Sequence, residues 1–244
     1  MLKRIVVQFH WQIRGLLVTR RFYRVISKLR HGEKCVGDST DIIIDGFPRS
    51  GNTFAVTAFK YAQRRDVNVS SHIHAPIEII TAVKRNIPAI VLVRDPEDAA
   101  ISFMIMLAQN VSAEAALKYY IRFYEALLPF ESQFVTCSFE TTTANFGAAI
   151  EAVNDRCGSE FSVFDHTEEN VNSCFDIIDR EYREWRGEIR ELNVSRPSDS
   201  RKDLKEQLRK AVRDPRIKDV HDRAYNVYNT FLKFSEQTST AGVR

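Results

Sequence analysis

Short runs of apolar and β-branched residues alternate with segments of helical periodicity along the first half of the chain. The runs are DIIIDGF (41–47), DVNVSSHIHA (66–75), PAIVLVRD (88–95) and QFVTCSFE (133–140). Continuous apolar runs of this length, closed by glycine or polar residues, are typical of parallel strands that are buried on both faces. We therefore predict four strands, of which the second is the least apolar.

Helical patterns separate these strands and fill the rest of the chain. They cover NTFAVTAFKYAQRR (52–65), PIEIITAVKRN (76–86), PEDAAISFMIMLAQN (96–110) and AEAALKYYIRFYEALLPF (113–130). Proline at the first helical position, or Ser112 as an N-cap, supports the starts of the last three. Because strands that alternate with helices form βαβ units, the pattern predicts an α/β fold. We expect a three-layer sandwich with a central parallel sheet of four to five strands flanked by helices, and a mostly helical C-terminal half.

The first 31 residues form a basic helical pattern of their own. Residues 1–35 contain nine Lys or Arg and one acid, Glu33, a charge of +8 that leaves −5 for the rest of a chain of net charge +3. Apolar residues recur at helical spacing: Ile5, Val6, Phe9, Ile13, Leu16 and Leu17. Two interpretations stay open, a helix that binds a membrane surface or a partner, and a helix packed on the core with a solvated cationic face.

Composition, with 44% hydrophobic and 27% charged residues, indicates a soluble globular protein. We divide it into a basic helical segment (1–37), an α/β domain (38–235) and a polar tail (236–244) that we expect to be disordered. The four cysteines lack C-x-x-C spacing and indicate free thiols in a reducing compartment. Since neither a membrane span of ~20 apolar residues nor a signal cleavage site is found, we expect a cytoplasmic protein, peripheral at a membrane if residues 1–31 bind one.

The first strand leads into GFPRSGNT (46–53), which has the glycine spacing of a phosphate-binding P-loop, G-x-x-x-x-G-K-[ST]. Such a turn and the helix that follows it present backbone N–H groups to an anion. Asn52, however, stands where the lysine that reaches the β- and γ-phosphates of a nucleotide belongs, and the cation of this loop is Arg49. The third strand ends in Arg94-Asp95, which is not a clear Mg²⁺ carboxylate. The loop predicts a P-loop-type fold with a different phosphate ligand.

A second motif, VLVRDPEDAAISF (91–103), leaves the third strand at Arg94 and places Ser102 eight residues later in a helix that Pro96 begins. A guanidinium at the strand end and a hydroxyl in the helix can hold one phosphate from two sides. A capped helix start with a surface salt bridge is the alternative.

The two motifs together resemble those of the sulfotransferases that use 3′-phosphoadenosine 5′-phosphosulfate (PAPS). GFPRSGNTF (46–54) is similar to their 5′-phosphosulfate loop, Y-P-K-S-G-T-T-W, and LVRDPEDAAISF (92–103) is similar to their 3′-phosphate motif, R-x-P-x-D-x-x-x-S. The resemblance covers residues 40–140, is thin over the C-terminal hundred residues and is absent over the first 35. It implies transfer of a sulfuryl group from PAPS to a hydroxyl or amine without a metal, leaving 3′-phosphoadenosine 5′-phosphate (PAP). The acceptor would be a small molecule, a carbohydrate or a lipid-linked compound.

The resemblance also implies roles by position. Arg49 takes the place of the family's loop cation, which binds the bridging oxygen between phosphate and sulfate, and Arg94 and Ser102 take the 3′-phosphate positions. The remaining loop positions would hold the 5′-phosphate through backbone amides and side chains: Pro48, Ser50, Gly51, Asn52, Thr53 and Phe54. Asn52 replaces the family's commoner Thr, and Phe54 replaces Trp.

Many members of this family place a catalytic His-x-Pro just after the second strand, and His74-Ala75-Pro76 matches that spacing. Because residues i and i+2 of a strand face the same side, His72 is a second candidate for the base. Glu78, one helical turn beyond His74, could orient that histidine or act as the base itself, and it is a weaker candidate. The family's C-terminal R-K-G loop over the adenosine has no clear match. The basic turn SRPSDSRKDL (195–204) offers three candidates for it: Arg196, Arg201 and Lys202.

Two other functions stay open on the sequence. A P-loop kinase or other NTPase would need the missing lysine and a Mg²⁺ carboxylate, and a non-catalytic domain would bind PAPS or PAP for regulation. The aromatic residues of 113–130 would either line an acceptor pocket or pack in the core: Tyr119, Tyr120, Phe123 and Tyr124. No nucleic-acid partner is expected, since the N-terminal arginines lack a recognised reader motif.

Overall fold

The computed structural model describes residues 2–20, 22–186 and 202–241. The helices in these ranges are α1 (Leu2–Leu17), α2 (Tyr23–His31), α3 (Asn52–Ala62), α4 (Pro76–Lys84), α5 (Pro96–Met106), α6 (Ala113–Glu125), α7 (Phe139–Ala144), α8 (Phe146–Cys157), α9 (Glu168–Arg186), α10 (Lys202–Val212) and α11 (Lys218–Ala241). The strands are β1 (Ile42–Gly46), β2 (Val69–Ser70), β3 (Ala89–Val93) and β4 (Val135–Ser138).

The described strands form one parallel sheet in the order β2-β1-β3-β4. β1 and β3 pair from Ile43 opposite Ala89 to Gly46 opposite Leu92, and every residue of both strands is buried. Helices cover both faces of the sheet, which is why these strands are continuous apolar runs rather than alternating ones. The predicted α/β sandwich with a central parallel sheet is confirmed.

Two hydrophobic clusters occupy the two faces of the sheet. One unites alternate residues of β1 and β3 with α4, α5, α6 and α11, and the other unites the opposite residues with α3, α8 and α9. The four cysteines, all within the described ranges, are free thiols as predicted. In the part of the chain that the structure describes, no helix has the length and apolar character needed to cross a bilayer.

The predicted second strand is wrong in its length. Only Val69–Ser70 pair with β1, opposite Ile42 and Ile43. The chain then leaves the sheet edge, and both His72 and His74 adopt left-handed backbone angles, with φ of 60° and 51°. These angles are incompatible with a strand, so the alternation rule applied to the two histidines does not hold.

The basic N-terminal pattern is two helices rather than one, because tight turns interrupt it after Leu17. Arg20 N–H donates to the Leu17 carbonyl, and Tyr23 N–H donates to the Arg20 carbonyl. α1 packs against α6, where Gly15 lets the helix approach the ring of Tyr119. The core-packing interpretation therefore describes the inner side of α1.

Candidate active site

The loop at residues 46–51 joins β1 to α3 at the carboxyl edge of the sheet. Gly46 lies so close to β3 that a Cβ atom would fall 2.3 Å from the carbonyl oxygen of Leu92. Arg49 and Gly51 both adopt left-handed angles, with φ of 73° and 92°. The chain therefore reverses sharply here, and its glycines stand where a side chain would collide or strain the backbone.

The N-terminus of α3 opens onto this loop without a side-chain cap. Its N-cap residue is Gly51, which has no side chain to accept from the first turn. The first N–H groups of a helix have no partner inside it, and here they belong to Asn52, Thr53 and Phe54. Uncapped N–H groups at the positive end of a helix dipole favour an anion. The loop and the helix start thus form a cradle of the phosphate-binding type.

Asn52 closes the loop from within. Its side chain is buried, and Nδ2 donates to the Phe47 carbonyl at 3.1 Å. The same carbonyl accepts from Ser50 N–H at 3.2 Å. The side chain therefore ties the two ends of the loop together, and its backbone N–H stays available to a ligand. The sequence-based expectation of a side-chain contact with phosphate stays a prediction, since this bond uses one of the two Nδ2 hydrogens and Oδ1 has no partner.

Three other loop residues predicted at the phosphate also serve the packing of the loop. Pro48 is buried, and the buried ring of Phe54 packs edge-on against Phe164. Ser50 is buried, with its hydroxyl 3.4 Å from the Tyr124 hydroxyl. These side chains position the loop, so a ligand in the cradle would meet its backbone.

Arg49, Arg94 and Ser102 meet at one point, although they come from a loop, a strand end and a helix. Arg49 Nε donates to Ser102 Oγ at 3.0 Å. Arg94 Nη1 donates to the backbone carbonyl of Arg49, also at 3.0 Å. The two sequence motifs therefore contribute to a single cationic site beside the loop.

Arg94 is a partly buried cation, 18% exposed, whose charge and donors are incompletely compensated. Its guanidinium lies 4.1 Å from the ring centroid of Phe139, in cation–π geometry, and Nε is buried without a hydrogen-bond partner. Burial lowers the pKa of Arg94. The carboxylate of Asp98 lies 3.9 Å from Nη2, a long distance for an ion pair. A partly buried charge and an unpaired donor both raise the free energy of the empty site, so an anion bound here would stabilise it.

His74 forms a dyad with Asp45, a residue that the sequence analysis passed over. Nδ1 of His74 lies 3.0 Å from Asp45 Oδ1 and 2.9 Å from the Gly46 carbonyl oxygen. Both neighbours are acceptors, so the neutral ring carries its proton on Nδ1 and its lone pair on Nε2. Asp45 is fully buried and accepts from the N–H groups of Ile73 and His74 through Oδ2, at 3.1 and 2.8 Å.

The environment of Asp45 favours its ionised form. Burial would raise the pKa of the carboxyl, but the charge and hydrogen bonds of His74 lower it more, so the pKa falls below its usual value. Asp45 is therefore an ionised, rigidly held group that fixes the tautomer and orientation of His74. An acid at the end of the apolar run DIIIDGF, directly before the loop, is the sequence signal that points to it.

His72 has both ring nitrogens engaged. Nε2 lies 3.3 Å from Thr53 Oγ1, and Nδ1 lies 3.0 Å from Ser71 Oγ. Burial and then the neighbouring charge of His74 lower the pKa of His72 to about 4, so the ring stays neutral near neutral pH. The two histidine rings lie 5.9 Å apart. This geometry gives His72 a positioning role toward Thr53 and leaves His74 as the better candidate for a base.

The lowered pKa of His72 predicts a loss of stability on acidification. The unfolded chain binds a proton near the usual pKa of 6.5, whereas the folded chain binds it only near 4. Stability should therefore fall as the pH drops through that window, by up to roughly 3 kcal/mol. Urea unfolding across the window measures it. His72→Asn, which tolerates the left-handed backbone, should flatten the slope there; an unchanged slope would contradict the assignment.

Glu78 does not contact the histidines. Its fully buried carboxylate accepts from Val36 N–H at 3.0 Å and lies 3.5 Å from Arg24 Nε. Burial raises its pKa. The idea that Glu78 orients His74 is thus incorrect for this geometry, because Asp45 holds that position.

The aromatic residues of α6 are core residues whose hydroxyls support the site from below. The hydroxyls of Tyr119, Tyr120 and Tyr124 donate to the carbonyls of His74, Arg94 and Leu92, at 2.9, 2.7 and 2.7 Å. All three rings are buried. They do not line an acceptor pocket, and they fix the segments that carry the candidate residues.

The three candidates of the basic turn 195–204 stay predictions. Arg196 and Arg201 lie outside the described residues, and the side chain of Lys202 is not described. Within the described ranges, no three or more His, Cys, Asp or Glu side chains cluster as metal ligands would.

No protein-family model and no curated protein matches the chain. Among solved structures, the crystal structure of mouse sulfotransferase SULT7A1 complexed with PAP aligns with 82% of this chain and 94% of that chain. The identity is 11% and the TM-score is 0.42. A likeness this small carries no argument about function, which therefore depends on the residues of the site.

Proposed function

We propose that the chain is a sulfotransferase that moves a sulfuryl group from PAPS to a hydroxyl or amine of a small molecule, a carbohydrate or a lipid-linked compound. One observation carries the proposal. The two cationic motifs, Arg49 in the loop and Arg94 with Ser102, converge beside the loop. A histidine–carboxylate dyad contacts the same loop. His74 bonds to the carbonyl of Gly46 at one end of the loop, and His72 bonds to Thr53 at the other.

The residues of the site fit a ligand with two separate phosphates. The N–H groups at the start of α3 suit a 5′-phosphate, because no side chain caps them. Arg94 and Ser102 suit a 3′-phosphate, because the buried Nε of Arg94 lacks a partner and Arg49 contacts both residues, its Nε donating to Ser102 Oγ and its carbonyl accepting from Arg94. When bound, PAPS supplies a sulfuryl group attached to its 5′-phosphate.

The residues of the chain would divide the transfer between them. Nε2 of His74 accepts the proton of the acceptor hydroxyl as that oxygen bonds to sulfur. The bond from sulfur to the bridging phosphate oxygen breaks, and its electron pair stays on that oxygen. Arg49 and the loop N–H groups stabilise the negative charge that develops there, and this selective stabilisation of the transition state accelerates the reaction. Asp45 keeps the His74 ring in the receptive tautomer and steadies its positive charge.

Calorimetry with PAP, set beside ATP with Mg²⁺, tests the donor assignment. We expect PAP to bind without added metal and Arg94→Ala to weaken it about 10- to 100-fold, because a hydrogen bond to a charged group is lost. Arg156→Ala is the matched control, since this exposed arginine donates to the Ser132 carbonyl away from the site. Binding of ATP with Mg²⁺ alone would favour the NTPase alternative. PAP binding without sulfate transfer to any acceptor class would favour a non-catalytic binding domain.

A further inference from the structure

The outer side of α1 and α2 exposes an apolar surface that the fold leaves uncovered. Its side chains and their exposed fractions are Ile13 37%, Leu16 54%, Phe22 54%, Val25 62%, Ile26 42% and Leu29 85%. Among the other large apolar side chains whose exposure the structure describes, only Tyr61 and Val163 are similarly exposed. We name these six residues the α1–α2 face.

The spacing of these residues makes the face continuous along each helix. Phe22, Val25, Ile26 and Leu29 recur at helical intervals of three and four, and Ile13 and Leu16 do so on α1. The two tight turns between Leu17 and Tyr23 join the helices directly, so one apolar strip follows the other closely.

The inner side of both helices is already occupied, so these apolar residues cannot turn inward. Arg14 is buried and its Nη2 donates to the Ile73 carbonyl at 2.7 Å, while Ile77 N–H donates to the Val18 carbonyl at 3.2 Å. Arg24 Nη2 donates to the Val36 carbonyl at 2.9 Å. The first two bonds fix the end of α1 to the residues around the histidines, and the third fixes α2 to the connector before β1.

The charge around the face selects its occupant. Exposed cations lie among these residues in the chain and shortly after them: Arg20, Lys28, Arg30 and Lys34. The one acid in residues 1–35 is Glu33. A second copy docked by a two-fold axis would bring these cations against the same cations, which is unfavourable. Anionic lipid headgroups are complementary, and each basic residue near such a surface adds to the attraction.

We propose that the α1–α2 face docks on an anionic bilayer, with its apolar side chains entering the headgroup boundary and its cations on lipid phosphates and carboxylates. An interfacial helix pair of this kind needs an apolar strip and flanking Lys or Arg, and it needs no spanning segment. This docking does not depend on the reaction proposed above.

Co-sedimentation with phosphatidylcholine vesicles, with and without phosphatidylserine, tests the docking. The chain should bind the vesicles that contain phosphatidylserine, and added salt should weaken that binding. The double variant Val25→Asn/Leu29→Asn should bind at least about tenfold more weakly, because it removes apolar surface that would be buried in the bilayer. Lys28→Gln/Arg30→Gln should weaken binding to the anionic vesicles and leave binding to the neutral vesicles unchanged.

The matched control is Tyr61→Asn/Val163→Asn, which removes exposed apolar side chains elsewhere and should bind like the parent chain. Both altered positions on the face are exposed, and circular dichroism melting verifies that each variant keeps its fold. Equal binding to neutral and anionic vesicles, or unchanged binding of Val25→Asn/Leu29→Asn, would overturn the proposal. Light scattering gives a further test. A dimer that Val25→Asn/Leu29→Asn converts to a monomer would also overturn the proposal, since the occupant of the face would then be a second copy.

Discussion

Replacing Arg49 by alanine is expected to lower the rate of sulfate transfer by about 10²–10³-fold, with a much smaller effect on PAP affinity. In the proposed function Arg49 is the loop cation assigned to the bond to be broken, and its Nε donates to Ser102 Oγ at 3.0 Å. Charge develops on the leaving oxygen only as the reaction proceeds, so the guanidinium stabilises the transition state more than the bound donor. The measurement is kcat and KM for conversion of labelled PAPS to PAP with a panel of phenol, sugar and amine acceptors.

Backbone strain does not complicate the comparison of Arg49→Ala with the parent chain. Arg49 has a φ of 73°, and arginine and alanine both carry a Cβ, so the strain of the left-handed conformation is nearly equal in the two chains. Arg49→Lys keeps the charge but loses the planar fork that Ser102 orients, so it should fall between the parent and the alanine variant. A kcat for Arg49→Ala equal to that of the parent would remove Arg49 from the chemistry.

The sequence predicted those parts of the site that are carried by consecutive residues. The loop before α3 and the run from Arg94 to Ser102 are each one strand end and one helix start, so their geometry follows from local turn and capping rules. The buried strands were equally legible, because a strand covered on both faces has to be apolar at every position. These features need no knowledge of how distant segments meet.

The contacts of the histidines could not be predicted, because they depend on distant segments. Asp45 and His74 are separated by 28 intervening residues and meet because the chain leaves β2 after two residues and turns through left-handed angles. Non-glycine residues adopt such angles rarely, so the sequence carries no signal for them. The same holds for Arg14, whose bond to the Ile73 carbonyl joins the N-terminal helix to the site.

Backbone angles of this kind often mark functional segments. Left-handed residues cost of order 1 kcal/mol or more each and persist only where surrounding contacts enforce them. Here Asp45 accepts from two successive N–H groups of the strained segment, and Tyr119 donates to the carbonyl of His74. The surrounding core thus stabilises a conformation that places two imidazoles beside the phosphate-type loop.

Removing the His74 ring is expected to lower turnover by about 10²–10⁴-fold, the usual contribution of a general base, while PAP still binds. Asparagine is the better replacement, because it tolerates the left-handed angle that His74 adopts. Calorimetry with PAP on the same variant distinguishes a lost base from a collapsed site.

Asp45→Asn tests the dyad more selectively. The amide has nearly the shape of the carboxylate but lacks the charge that holds the Nδ1 proton. Turnover should fall less than for His74→Asn, since the Gly46 carbonyl still accepts from Nδ1.

The parent chain should also lose stability as the pH falls below the usual pKa of Asp, because the folded-state pKa of Asp45 is lowered and its ionised form stabilises the fold above that range.

His72→Asn is the comparison, and its positioning role toward Thr53 predicts a modest loss of turnover. A much larger loss in His74→Asn would assign the base to His74, and the reverse pattern would assign it to His72.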